Sequence, residues 1–83
     1  MPGKRRTKSD EENLFNQELG RRIETLRKKS GMTTAEVADA IGIWNSTLYF
    51  IEIGKTRCSL FLLIKFAKLF RVPVESLIWL TTI

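Results

Sequence analysis

Five short helices, packed as one all-α domain behind a flexible basic N-terminal arm, are the architecture expected of these 83 residues. Three observations lead there. Apolar residues recur every three or four positions in successive stretches, and nowhere alternate with polar ones as a strand requires. Two capping-box spacings, Ser9 with Glu12 and Thr33 with Glu36, mark helix starts. Gly31, Gly42 and Gly54 stand where helices need left-handed stops. At this length the chain forms a single small domain with a modest core.

Residues 1–8 (MPGKRRTK) contain Pro2, Gly3 and four cations, and are expected as the arm; the domain is expected over 9–83. The first helix is predicted from about 10 to 29, with Ser9 as its cap and Phe15, Leu19, Ile23 and Leu26 on its inner face. Thr33 with Glu36 opens a short second helix whose inner face is Val37, Ala38 and Ile41, ended by Gly42. A third is predicted over about Asn45 to Ile53, with Leu48 and Ile51 inward and Gly54 as terminator. After the loop KTRC, Ser59 caps a fourth helix over about 60–70, with Leu60, Leu63, Ile64, Ala67 and Phe70 lining one side and Phe61, Leu62 and Phe66 widening the apolar surface. Pro73 suits the first turn of a fifth helix over about 74–80, because its missing N–H would be unpaired there anyway.

Composition narrows the function. An apolar fraction of 43% with 28% charged residues fits a folded domain rather than a disordered chain. The near-apolar run Leu60 to Ile64 is too short to span a bilayer and no signal-peptide pattern follows the basic start, so a cytoplasmic protein is expected, with no membrane partner. One cysteine, Cys58, and no histidine leave no internal disulfide, no zinc set and no expected cofactor. With carboxylates scattered and Cys58 lacking a partner to lower its pKa, no acid–base pair or activated nucleophile is visible, and an enzyme is not expected. The net charge of +5 suits a polyanion partner, and its position says more. Lys4, Arg5, Arg6 and Lys8 carry the excess, while from residue 10 onward ten basic side chains nearly cancel nine acidic ones.

Four stretches, "LGRRIETLRKKSGMT", "AEVADAIGI", "STLYFIEIGKTRCSL" and "LIKFAKLFRVPVESLI", together resemble the phage-repressor-like helix-turn-helix family of the Cro/Xre type, over about Leu19 to Ile78. The spacing I-E-x-G-K followed by S-L is the most specific part. The resemblance implies a DNA-binding domain whose second and third helices form the motif, about 33–53, with the third in the major groove. Base contact then falls to the start of that helix, at Trp44, Asn45 and Ser46, and to Tyr49 and Phe50. Asn45 is the strongest base reader, because its amide matches the N6 and N7 edge of adenine, and Ser46 serves either sign of partner. Phosphate contact falls to Thr34, Lys55, Thr56 and Arg57. Thr34 stands where the family has glutamine, so it meets a phosphate but cannot brace a recognition side chain from a distance. The resemblance also pairs Glu52 with an arginine of the first helix, by spacing Arg27, as a tie between helices.

Departures from the family leave alternatives open. Trp44 occupies a serine or threonine cap position, so Asn45 is a candidate to cap instead and start the helix one residue later, away from DNA. For Trp44, Tyr49, Phe50 and Ile53 three roles compete: extra core packing, apolar contact with thymine methyls, and a protein-binding face. The balance favours Asn45, Ser46 and Tyr49 on DNA, with Phe50 and Ile53 mostly packing. The arm (Lys4, Arg5, Arg6, Lys8) is expected on the duplex. Trp79, Leu80 and Ile83 exceed what one small subunit can cover, so a homodimer on an inverted-repeat operator is expected. The functional expectation is a transcriptional regulator, by default a repressor, binding double-stranded DNA. The alternative is a protein-interaction module on the same scaffold, with the aromatic third helix as its contact face.

Overall fold

A computed structural model describes residues 8–78, and every regular element among them is helical. The order is α1 (Lys8–Lys29), α2 (Thr34–Ile41), α3 (Asn45–Glu52), α4 (Leu60–Phe70) and α5 (Glu75–Ile78). Lys4, Arg5, Arg6, Trp79, Leu80 and Ile83, expected in the arm and at a dimer contact, lie outside the described residues.

α1 begins at Lys8, so Ser9 is inside the helix and not its cap. The Glu12 carboxylate of that spacing pairs with Arg57 on the loop before α4. Downstream, the local signals hold. Thr33 accepts from the Glu36 backbone at 3.1 Å while the Glu36 carboxylate accepts from the Thr33 N–H at 2.8 Å, which closes the capping box of α2. Gly42 ends α2 with φ +86, and Ser59 accepts from the Leu62 N–H at 3.2 Å to cap α4. α4 ends at Arg71, which takes the left-handed conformation (φ 59) without being glycine.

The core joins all five helices: Leu19 and Ile23 of α1, Val37, Ala38 and Ile41 of α2, Leu48 and Ile51 of α3, Leu63, Phe66 and Ala67 of α4, and Leu77 of α5. Phe15 and Leu26 pack against its edge. α1 is the backboard of the fold, touching α3, α4 and α5. Its approach to α3 is possible only because Gly20 has no Cβ, since one would run into the Ile51 and Glu52 carbonyl oxygens.

The rotation of α4 differs from expectation. Phe66 is fully buried, whereas Leu60 is 67% exposed and Ile64 39%. Both faces satisfy a 3.6-residue period in so apolar a helix. α4 packs on α2, where Lys65 donates to the Ile41 carbonyl at 2.6 Å and lies 5.2 Å from the Phe61 ring. In this rotation Phe66 faces the core, and Leu60 and Phe61 lie outside.

Candidate nucleic-acid interface

α2, the Gly42 turn and α3 form one packed unit, closed by Val37, Ala38, Ile41, Leu48 and Ile51. Helical period places Leu48, Ile51 and Glu52 on the inner side of α3, and Asn45, Ser46, Tyr49, Phe50 and Ile53 on the outer side. The outer side is exposed along its whole length.

Trp44 itself is the cap of α3, with extended backbone (φ −71, ψ 149) and no side-chain cap bond. Asn45 is therefore the first helical residue, which overturns its candidacy as the cap. Backbone geometry decides the cap position: the Trp44 carbonyl already accepts from the Leu48 N–H at 3.1 Å, so the helix starts behind it whatever its side chain can accept. The Asn45 amide is left exposed at the head of the outer face, with Ser46 beside it.

Trp44 is 81% exposed, Tyr49 55%, Phe50 46% and Ile53 40%. Phe50 and Ile53 were expected to be mostly packing, and the structure corrects this. The inward stripe of α3 is filled by Leu48 and Ile51, and both Phe50 and Ile53 point away from it. Tyr49 and Phe50 lean on one another, ring centroids 5.6 Å apart at 58°. Such tilted pairs gain from quadrupole alignment as well as area.

Of the expected phosphate contacts, Thr34 opens α2 and is half-buried, while Lys55, Thr56 and Arg57 are exposed on the loop that follows α3. Gly54 turns the chain into that loop with φ +78, and it lies flat on Gln17 of α1, where a Cβ would strike the α1 backbone. Arg57 is held by Glu12, with Nε to Oε2 at 2.5 Å and Nη2 to Oε1 at 3.2 Å. Nothing in the sequence signals this pair, because the residues are 45 apart and local period is silent at that range. Its consequence is positional. Lys8 lies four residues before Glu12, about 6 Å along the axis at ~1.5 Å per residue. The first turns of α1 thus lie near the basic loop that follows α3.

Arg27 and Glu52 meet beneath this surface. Arg27 Nε donates to Glu52 Oε2 at 2.8 Å and Nη2 to Oε1 at 3.3 Å, with side-chain exposures of 12% and 6%. A further bond from Nη1 to the Met32 carbonyl at 3.1 Å ties in the α1–α2 turn. The Glu52 hydrogen bonds hold the Arg27 guanidinium above its ordinary pKa, against the opposing pull of desolvation. Glu52 is the only acid of α3, and it is spent inward, so the exposed face of that helix carries no charge. Cys58 is half-buried, and burial pushes its thiol up to about 11, which keeps it protonated and unreactive near neutral pH.

The comparisons with known proteins agree with this geometry. A helix-turn-helix domain family model matches residues 18–78. Two relatives from Archaeoglobus fulgidus, each described as an uncharacterized HTH-type transcriptional regulator, are 41% and 38% identical over 56 residues; both alignments span 68% of this chain, and 80% and 79% of the respective relatives. The crystal structure of the restriction-modification controller protein C.AhdI from Aeromonas hydrophila superposes with a TM-score of 0.70 over 74% of this chain and 92% of that one, at 24% identity, a likeness of fold. With a packed α2–turn–α3 unit, an exposed α3 and a family match across most of its length, the chain belongs to the helix-turn-helix domain family.

Proposed function

We propose that this protein is a sequence-specific DNA-binding transcriptional regulator of the cytoplasm that acts as a repressor, with two copies on an inverted-repeat operator. The observation that carries the reading is the free outer face of α3: Asn45 is relieved of capping and exposed at its head, and the basic loop Lys55 to Arg57 stands at its end. In that role Asn45 reads adenine, Ser46 and Tyr49 add base or phosphate contacts, and Thr34, Lys55, Thr56 and Arg57 hold phosphates. Lys4, Arg5, Arg6 and Lys8 extend the contact along the duplex. The two relatives described as transcriptional regulators support the class of function. Trp79, Leu80 and Ile83 supply the dimer contact, which spaces two recognition helices roughly 34 Å apart.

Selection from a random duplex pool, at low and near-physiological salt, tests the reading. An enriched inverted repeat whose binding weakens with salt is the expected outcome; no enrichment at either salt would defeat it.

A second reading rests on the exposure of Trp44, Tyr49, Phe50 and Ile53, since aromatic patches are common at protein interfaces. Replacing Trp44 and Tyr49 by serine separates the two. A protein-interaction module would lose its partner and keep its DNA affinity.

A further inference from the structure

We infer that the outer face of α3 recognises C5-methyl groups of pyrimidines in the major groove, through Tyr49, Phe50 and Ile53. This deepens the DNA-reading assignment and rests on it. Over its eight residues (NSTLYFIE) α3 has no arginine, lysine or glutamine, so it has no side chain for the bidentate contact to guanine O6 and N7 that commonly specifies a base. Asn45 and Ser46 serve one end of the helix; beyond them the exposed side chains are Tyr49 at 55%, Phe50 at 46% and Ile53 at 40%.

In the major groove the apolar feature of the base edges is the C5-methyl group, native to thymine and present on methylated cytosine. A methyl buried against Phe50 or Ile53 leaves water together with the side chain it meets, and each buried carbon of this kind contributes favourably. Geometry supports the match. A helix with its side chains is about 10–12 Å across, and the groove about 12 Å wide, so α3 can enter it with its outer side chains against the base edges. Tyr49 and Phe50 brace one another, with ring centroids 5.6 Å apart, so they lose little rotamer freedom on binding.

Charge favours DNA over a protein as the occupant. Glu52 is 8% exposed and committed to Arg27, so no carboxylate of α3 faces out to repel a polyanion. Lys55 and Arg57 close the end of the face, and the chain carries +5 overall. At the opposite end Asp39 lines a shallow recess with Trp44. Arg57 shares its charge with Glu12.

The test compares the selected operator with copies in which one thymine at a time is deoxyuridine, which deletes the methyl and preserves every hydrogen bond. A parallel set replaces single cytosines by 5-methylcytosine. The expected result is about fourfold weaker binding at each contacted thymine, or about fourfold tighter binding at a contacted cytosine on methylation. Either effect disappears when Phe50→Ala or Ile53→Ala, both exposed, replaces the parent protein, with folding checked by circular dichroism. Equal binding of all these duplexes beside a clearly enriched operator overturns the methyl reading and leaves the DNA assignment standing. Absence of any enriched operator removes both. If Tyr49→Ala and Phe50→Ala leave DNA affinity unchanged, the methyl reading also fails, and the face passes to a protein partner.

Discussion

Removing Glu52 should cost far more than removing any exposed acid. Its carboxylate and the Arg27 guanidinium are nearly out of water, so deleting one partner strands the other. Glu52→Ala is expected to lower the unfolding free energy in urea by about 3–5 kcal/mol, and the double variant Arg27→Met with Glu52→Leu to recover most of it. Glu12→Ala breaks a pair whose arginine is 80% exposed, and should cost about 0–1 kcal/mol. The Arg27–Glu52 pairing was legible through the family's I-E-x-G-K pattern. The Glu12 pair was not, because nothing along the chain joins residue 12 to residue 57.

Helix ends set the next level of behaviour, and here stability and binding pull apart. Trp44 holds the extended backbone of a cap without accepting a hydrogen bond, so Trp44→Ser supplies the missing acceptor in an already suitable conformation. It should raise stability by about 0.5–2 kcal/mol, read as an increase in Tm, while removing an indole from the exposed face. A fall in Tm would show that Trp44 packs in a way its 81% exposure does not suggest. The α1–α3 crossing gives the opposite case. Gly20→Ala pushes a methyl into the Ile51 and Glu52 carbonyls, both backbone, so the helices must separate. A loss of about 3 kcal/mol is expected, measured by the same urea titration.

For the assembled protein on DNA, ionic strength is the informative variable. Binding is expected to weaken linearly in log–log form as salt rises, because phosphate contacts release counterions. Deleting residues 1–7 removes Lys4, Arg5 and Arg6 and should reduce the slope by about 1–3 per subunit, leaving base preference intact. An unchanged slope would show that the arm never meets the duplex. The position of Glu12 on Arg57 motivates this test, since it places the start of α1 beside the loop that carries the other basic contacts.

Helix existence, order and most boundaries followed from local physics in the chain: the capping box at Thr33 and Glu36, the Ser59 cap, the glycine stops, and the inward stripe of each of the first three helices. These depend on neighbours within four residues, which any sequence displays. What local physics leaves undetermined is rotation and partnership. In α4 two apolar faces satisfied the same period, and packing against the other helices buries Phe66 and leaves Phe61 exposed. In α3 the aromatic residues were apolar enough for the core, yet Leu48 and Ile51 had already filled the available space, so Tyr49, Phe50 and Ile53 face outward. Burial belongs to the volume between helices, and a chain read residue by residue does not contain that volume.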